Sequence, residues 1–505
     1  MAKPKEHSEC GEFYTGKELE KLCAEFLSMP RRDAYHAAER FVDNADTVRL
    51  VGLVCGMRST GKTVILKQLA GRPEFLGQSA YLTLNYGEYS IDDIYVWVKN
   101  LQQTGIRYFY IDEITWAEDF IDRAMAFADR FASQTAVKII LSGTDSLAFT
   151  FAKQSSLHGR YLEFGTTRMS YAEYFRITGG NIIDYVHSGG VFWKNKLPVQ
   201  GECAEYLKSS VVDNIYRSIK NSGRMTLAGE ELSDLTKKEL YAICYAVCEG
   251  IANMSLRKRI NELWGEPFAL AVDKVAKLCS IKITESEKSL IKSFAPAYHI
   301  ESSKYDRAKV DAVLNLMETT GFLWRTDLRT NVDPKTRTAL KFSQTGVERE
   351  FTRDMLAAVC QSGEFRPERA QAVMQSIEEY TDGSLLESAC MIAFAKRMEK
   401  LAHPCISLSY YRIYNGDHEI DLVLHDPRSG ILYLYEVKRS QNADSDNARH
   451  LLDDRFVQYL QNEYGATSIK KAVLYRGADN LSKYGDVPFY NIENYLIRVE
   501  NGEIF

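Results

Sequence analysis

The sequence predicts an α/β protein of several domains, in which a parallel sheet comes first, a helical region follows and a second α/β domain ends the chain. The length of 505 residues exceeds what one hydrophobic core usually serves, because domains typically have about 100–200 residues. Short apolar runs alternate with helical stretches over residues 49–164 and again from residue 383. Such alternation is typical of strands buried between layers of helices.

These patterns divide the chain into four segments. Residues 1–46 form an N-terminal helical segment, 47–166 the first α/β core, 167–380 a helical region and 381–505 the last α/β domain. In the first core, strands are predicted at 50–55, 80–84, 108–111, 137–141 and 161–164. In the third segment, helices at 284–294 and 308–319 precede a hairpin of strands at 322–326 and 338–342. That order favours a winged-helix module, with an ordinary helical connector as the alternative.

Composition and charge argue against an overall basic nucleic-acid-binding protein, a membrane-spanning protein and a secreted protein. The chain has 63 Lys and Arg against 68 Asp and Glu, so no overall basic field attracts nucleic acid and any such binding needs a local patch. No apolar stretch reaches the roughly 20 residues that span a bilayer, and the N-terminus lacks the apolar region of a secretory signal. The 10 cysteines include no CxxC pair. We expect a cytoplasmic protein that does not contact a membrane.

A glycine-rich loop of the form GxxxxGKT follows the first apolar run and precedes a helix. Gly56 and Gly61 allow backbone N–H groups to point at phosphate oxygens, and the start of the helix adds positive potential. Lys62 supplies a charge for the β- and γ-phosphates, and the Thr63 hydroxyl is a ligand for Mg²⁺. The predicted nucleotide-binding residues of this loop are Gly56, Arg58, Ser59, Thr60, Gly61, Lys62 and Thr63.

An apolar strand that ends in two carboxylates supplies the second half of this site. Asp112 is predicted to hold Mg²⁺ through water, and Glu113 to polarise the attacking water. One strand, 80–84, falls between the loop and this pair along the chain. Together with Glu113, that insertion indicates the class of P-loop ATPases with an added central strand. No guanine-reading NKxD motif follows, so ATP is favoured over GTP.

Polar residues after two later strands are further candidates. The strand at 137–141 is followed by Ser142 and Thr144, either of which can reach the γ-phosphate or the attacking water. Arg160 precedes the strand at 161–164 and is a candidate sensor of the γ-phosphate, within one subunit or across two. A solvated arginine at the start of a strand is the alternative.

The motif series resembles the prokaryotic AAA-type ATPases fused to the DUF4143 region. The residues that carry the likeness are GMRSTGKT, YIDE, LSGTDSL, LHGRY and MSYAEYF, which include Arg58, Gly159, Arg160, Ser170 and Glu173. Residues 212–215 and 341–346 also resemble this family. The departures are Gln344-Thr345, where the family often has Asp before the glycine, and an unusual insert over about 225–275.

Two strands near the C-terminus carry a second set of charged residues. Side chains alternate along a strand, so Glu436 and Lys438 share a face and Asp421 on the partner strand can meet them. Glu387, on the preceding helix, can join them. The pattern D-x(14)-ExK looks like the restriction-endonuclease-like PD-(D/E)xK site, although Ile420 replaces its proline. Likeness to that site implies Mg²⁺ on Glu387, Asp421 and Glu436, with Lys438 orienting or deprotonating the attacking water.

The expected function is an ATP-hydrolysing AAA-type ATPase coupled to a nucleic-acid-binding domain that can act as a Mg²⁺-dependent nuclease, with DNA as the favoured partner. The alternative is an ATP-dependent switch whose nuclease-like domain is inactive and docks protein or DNA. A protein partner or a homo-oligomer fits either hypothesis.

Overall fold

The structure is a computed structural model. It describes residues 13–44, 51–85, 89–117, 119–120, 123, 137–143, 149, 161–189, 206–221, 232, 235–245, 247–248, 251, 307–331, 337–360, 367–401, 406–412, 418–484 and 486–504. Thr144, Arg160 and the helix predicted at 284–294 lie outside these residues.

The N-terminal segment forms two helices. A short strand β1 (Tyr14–Thr15) leads into α1 (Gly16–Leu27), and α2 (Asp33–Asp43) follows. The sequence predicts helical structure over 15–46, but α1 ends at Leu27, and Pro30 lacks a backbone N–H and disfavours a helical conformation at Met29. The chain is extended at Arg32, directly before α2. This break allows Arg32 to turn toward the first sheet.

The first sheet contains all five predicted strands. They are β2 (Val51–Cys55), β3 (Ser79–Thr83), β4 (Tyr108–Asp112), β5 (Lys138–Gly143) and β6 (Tyr161–Gly165). Their order is β1-β3-β4-β5-β2-β6, parallel except for the edge strand β1. The strand between β2 and β4 in space is therefore β5, and not the 80–84 strand that separates them along the chain.

Helices cover both faces of this sheet. The helix α3 (Lys62–Ala70) and the two N-terminal helices pack on one face, and α4 (Ile91–Gln103) packs on the other. The strands β2 and β5 are buried along their whole length. Because parallel strands end together, the carboxyl ends of β2, β4 and β5 bring the predicted nucleotide residues to one edge.

The middle region contains the helices α5 (Tyr171–Thr178), α6 (Ile182–Ser188), α7 (Asp213–Asn221) and α8 (Arg307–Thr319). After α8 comes the predicted hairpin, formed by β7 (Leu323–Thr330) and β8 (Arg337–Phe342). The hairpin is not a separate wing, because β7 pairs in parallel with a strand of the C-terminal sheet over Asp327–Thr330.

The C-terminal region begins with α9 (Thr345–Cys360) and the long helix α10 (Pro367–Glu399). Then follow β9 (Ser407–Arg412), β10 (Glu419–Asp426), β11 (Ile431–Lys438), α11 (Arg449–Leu452), α12 (Asp454–Tyr464), β12 (Ser468–Tyr475), β13 (Asn480–Tyr484), β14 (Val487–Asn491) and α13 (Ile492–Asn501). The sheet order is β13-β14-β12-β11-β10-β9-β7-β8. The predicted boundary at residues 380–381 therefore falls inside a continuous helix.

The C-terminal sheet lies between two helical layers. Side chains of α10 and α13 pack on one face, and side chains of α11 and α12 pack on the other. Among the helices in the described part of the chain, none has both the length and the apolar character that crossing a membrane requires.

A buried ion group joins the N-terminal helices, the first sheet and the C-terminal region. Glu173 in the first turn of α5 is almost fully buried, and its two carboxylate oxygens contact Arg32 and Lys396, each at 2.7 Å. The Asp33 backbone N–H donates to the same carboxylate at 3.0 Å. Burial alone would raise the pKa of Glu173, but Arg32 and Lys396 hold it well below its ordinary value.

We expect Glu173→Gln to lower the free energy of unfolding at pH 7 by about 3–5 kcal/mol, because the buried Arg32 and Lys396 both lose the carboxylate that contacts them at 2.7 Å. The folded-state pKa of Glu173 lies below its ordinary value of 4.5, so its contribution is present above that value and lost as the pH falls through the folded-state pKa. Urea titrations between about pH 5.5 and 3.5 should therefore show a steeper loss of stability in the wild type than in Glu173→Gln.

The matched control for this prediction is Glu25→Gln, which removes an exposed carboxylate of α1. It should follow the wild-type pH dependence. Parallel curves for the wild type and Glu173→Gln would contradict the assignment of a charged, stabilising Glu173.

Candidate nucleotide site and carboxylate cluster

The glycine-rich loop has the backbone geometry that its sequence predicts. Gly56 has φ +153° and Gly61 has φ +88°, both in the range that favours glycine, and Ser59 also has a positive φ of 63°. A Cβ at position 56 would lie 2.2 Å from Thr166 Oγ1. Only glycine fits there, so the close approach of the β6–α5 loop fixes this end of the phosphate-binding loop.

Lys62 begins α3 and is buried beneath the loop. Its Nζ donates to the carbonyl oxygens of Gly56 at 2.9 Å and Met57 at 2.7 Å. Burial lowers the pKa of Lys62, and the nearby carboxylates of Glu113 and Asp112 act in the opposite direction. The ammonium is thus held inside the loop, next to the two acids that the sequence assigns to the same site.

Asp112 is buried at the end of β4 and is held from both sides. Tyr81 on β3 donates its hydroxyl to Oδ2 at 3.0 Å, and Ser142 on β5 donates its hydroxyl to Oδ1. Thr83 in turn donates to the Tyr81 hydroxyl at 3.0 Å. Motif analysis considered Ser142 only as a contact for phosphate or water and did not single out Tyr81, because a tyrosine in an apolar strand carries no motif signal.

Glu113 follows in a left-handed conformation, with φ 57° and ψ 37°, and is only half-buried. A non-glycine residue in this region carries a conformational cost, and such residues cluster at functional sites. The turn directs the chain away from β4 directly after the buried Asp112. The two neighbouring acids therefore have different surroundings, one fixed by hydrogen bonds and one close to solvent.

The loop after β6 supports the phosphate-binding loop from outside. Thr60 Oγ1 lies 2.6 Å from Thr166 Oγ1, and the Met57 N–H donates to Thr167 Oγ1 at 3.2 Å. Tyr206 donates its hydroxyl to the Arg58 carbonyl at 3.2 Å. The sequence likeness pointed to Ser170 and Glu173 nearby but gave no sign of these threonine contacts.

The remaining predicted loop residues lie at the surface of this site. The Arg58 side chain is exposed, and Ser59 and Thr63 are half-buried. Asp112 Oδ2 accepts from Tyr81, Oδ1 accepts from Ser142 and from the Glu113 N–H, and Thr63 follows Lys62 in the first turn of α3. Hydroxyl and carboxylate oxygens of this kind fit Mg²⁺ bound largely through water and phosphate. Thr144 and Arg160 lie outside the described residues.

In the C-terminal sheet, the main-chain pairing of β10 with both of its neighbouring strands is interrupted near Asp421. Backbone pairing of β10 with β11 ends at Leu422 opposite Tyr435, and the pairing of β10 with β9 is irregular between Ile420 and Val423. The Asp421 carboxylate accepts the Val437 N–H at 2.8 Å, in place of a main-chain carbonyl. Irregular pairing of this kind re-aims side chains, and here it places the carboxylate at the end of β11.

The structure brings Asp421, Glu436 and Lys438 together. Lys438 Nζ lies 3.4 Å from Asp421 Oδ2 and in hydrogen-bond contact with Glu436 Oε2. His450 Nδ1 lies 3.1 Å from the other Glu436 oxygen. Burial raises the pKa of Glu436 and would lower that of His450, but contact with Glu436 raises the pKa of His450 above its ordinary value. Sequence reasoning missed His450 because it lies in a different element, α11.

Glu387 does not complete the predicted ligand set. It is buried on α10, the helix on which Cys390 lies near Asp421. Within the described ranges, no group of three or more His, Cys, Asp or Glu side chains has a geometry that holds a metal ion. At Asp421 and Glu436, the Lys438 ammonium lies against both carboxylates. Two carboxylates with water and a substrate phosphate still match the chemistry of a Mg²⁺ site.

Two family models match the chain. Residues 49–175 match the AAA domain, and residues 382–495 match a domain of unknown function, DUF4143. The ATPase and DUF4143 parts of the sequence resemblance are thereby confirmed. The AAA match supports an ATPase with bound nucleotide. Neither match describes a restriction-endonuclease-like domain.

Solved structures give a weak likeness. PCH-2 of C. elegans is 14% identical, with 61% of this chain and 69% of that chain covered and a TM-score of 0.19. A DNA polymerase III gamma subunit-related protein of Thermotoga maritima is 13% identical, with 57% and 100% covered and a TM-score of 0.21. At such low TM-scores, neither likeness bears on function. No curated protein matches the chain.

We expect Tyr81→Phe to reduce the rate of ATP hydrolysis about tenfold while ATP affinity stays within about twofold, because Asp112 loses a partner that orients it. A coupled ATPase assay and a fluorescent-nucleotide titration measure the two quantities. Tyr108→Phe, at the opposite end of the neighbouring strand, is the control and should behave as wild type. An unchanged rate in Tyr81→Phe would show that this hydroxyl does not position Asp112.

Proposed function

We propose that residues 49–175 bind and hydrolyse ATP, and that this activity serves a nucleic-acid-processing function of the C-terminal domain. The observation that carries the ATPase is the convergence of a buried Lys62 with Asp112 and Glu113 at the carboxyl end of one sheet. The AAA match over the same residues supports it.

The roles of the residues follow from their surroundings. Lys62, already enclosed by loop carbonyls, exchanges these partners for phosphate oxygens that carry full charge. Thr63, and Asp112 through water, would hold Mg²⁺, which would offset the negative charge of the phosphates. Glu113, half-exposed beside the rigid Asp112, accepts a hydrogen bond from the attacking water and aligns it with the γ-phosphorus.

For the C-terminal domain we favour cleavage of DNA at Asp421, Glu436 and Lys438. Two buried carboxylates and an ammonium at the open end of a strand pair are the residue types that such hydrolysis uses. Asp421 and Glu436 would hold Mg²⁺, which would supply positive charge to the phosphate. Lys438 donates a hydrogen bond to the attacking water, and His450 keeps the Glu436 carboxylate in place.

A docking domain controlled by ATP is the second candidate, and one observation favours it. The Lys438 ammonium lies against both carboxylates and offsets part of their charge, and His450 contacts the remaining Glu436 oxygen. A cluster whose negative charge is already partly offset has less need of a metal ion. In this alternative the domain presents protein or DNA with a surface and does not cleave.

We expect Lys62→Ala to abolish ATP binding and hydrolysis, because it removes the charge that faces the phosphates. Glu113→Gln should bind ATP but hydrolyse it at least about a hundredfold more slowly, since it cannot act as a base. Fluorescent-nucleotide titration and phosphate release distinguish these effects. Normal hydrolysis by Glu113→Gln would disprove the assignment of Glu113.

For the C-terminal site, plasmid, linear and single-stranded DNA and RNA are incubated with the purified protein and Mg²⁺ or Mn²⁺, with and without ATP. We expect cleavage that Asp421→Asn and Lys438→Met each reduce at least about a hundredfold. Lys470→Met, which changes an exposed lysine of β12, should cleave as wild type. Absence of cleavage under every condition, with ATP hydrolysis intact, would favour the docking domain.

A further inference from the structure

The buried ion group of Arg32, Glu173 and Lys396 begins at the phosphate-binding loop. Arg32 Nη1 donates to the carbonyl oxygen of Thr60 at 2.7 Å and to that of Thr166 at 2.8 Å, while Nε donates to Glu173 Oε1 at 2.7 Å. Thr60 lies two residues before Lys62, so one guanidinium fixes the backbone of the loop where phosphate binds. Arg32 is almost fully buried, and water does not replace a lost partner there without cost.

The same group ends in the C-terminal region. Lys396, in the last turn of α10, donates to the second Glu173 oxygen at 2.7 Å and lies 3.4 Å from Asp33 Oδ2. Phe394 of the same helix packs on Tyr435 of β11, with ring centroids 5.3 Å apart. A continuous set of buried contacts therefore connects the phosphate-binding loop with the strand that carries Glu436.

We propose that Arg32, Glu173 and Lys396 couple nucleotide binding at the phosphate-binding loop to the position of α10 in the C-terminal domain. All three act as positioning residues: Arg32 sets the Thr60 carbonyl, Glu173 shares its two oxygens between Arg32 and Lys396, and Lys396 holds α10. This inference rests on the ATP binding proposed above and does not depend on DNA cleavage.

The physical basis is that Arg32 and Lys396 share one buried carboxylate, each on its own oxygen, so the orientation that one of them imposes affects the contact of the other. Nucleotide phosphates that fix the loop in one conformation also fix the Thr60 carbonyl and thereby the direction of Arg32. A guanidinium held in this direction orients Glu173 and so determines how well the carboxylate can bind Lys396. Because coupling between two sites is reciprocal, loss of the Lys396 contact must weaken nucleotide binding as much as nucleotide strengthens that contact.

The decisive experiment uses full-length Lys396→Met. We expect it to bind a fluorescent ATP analogue roughly three- to tenfold more weakly than the wild type, although Lys396 reaches the loop only through Glu173 and Arg32. Lys396→Arg keeps the charge and should recover most of the affinity. The matched control is Lys400→Met, one turn further along, whose ammonium is exposed and 3.8 Å from Asp33; it should bind as wild type.

Hydrogen exchange of α10 supplies a readout that a merely structural role would not change. In the wild type and in Lys400→Met, ATP should slow amide exchange over residues 385–399, and in Lys396→Met this ATP-dependent difference should be lost. Exchange over 62–70 must still respond to saturating ATP in all variants, which shows that Lys396→Met is folded and occupied.

Equal ATP affinity in Lys396→Met and the wild type, or an unchanged ATP response of α10, would overturn the coupling and leave the ATPase proposal intact. Failure of the wild type to bind ATP at all would overturn both proposals. Weaker binding accompanied by an equal loss in Lys400→Met would also contradict the role of Lys396, since it would reflect the surface charge of the helix end.

Discussion

The burial of a single carboxylate, that of Glu173, determines how the main parts of this protein meet. A carboxylate with almost no exposure needs buried cations and hydrogen-bond donors around it. Here Arg32 comes from the N-terminal helices and Lys396 from the C-terminal region, while Glu173 follows the last strand of the first sheet. Because no segment can move away without leaving a charge unpaired, the three segments form one cooperative junction.

The geometry of the phosphate-binding loop depends on this junction and on its neighbours. The loop contains backbone conformations that glycine adopts most easily, and both Lys62 of the motif and residues outside it hold them. Thr166 contacts the loop at Thr60 and excludes a side chain at Gly56, and Arg32 fixes the carbonyl of Thr60. The motif therefore supplies the atoms for phosphate and part of its own support, and contacts from outside the motif add to the rigidity of the loop.

Hydrophobic periodicity and strand alternation predicted those features that depend mainly on residues near one another in the chain. The five strands of the first sheet, the hairpin before the C-terminal domain and the convergence of Asp421 with Lys438 follow from hydrophobic periodicity and strand alternation. Periodicity did not predict the break at Pro30, the position of β5 beside β2, or the pairing of β7 with β9. Tyr81 and His450 were also missed, since they meet their partners through tertiary contacts and belong to no motif.

The lysines of the two candidate sites have different partners, and these partners determine what each lysine can bind during a reaction. The Lys62 ammonium binds neutral carbonyls and is therefore ready to exchange them for phosphate. Lys438 instead binds two carboxylates, so a nucleic acid offers it no stronger partner unless another cation takes its place. The ammonium has three N–H donors, so Lys438 can contact both carboxylates and still donate to the attacking water as proposed above. A shift of α10 that reaches β11 through Phe394 and Tyr435 would act on the strand that carries this lysine.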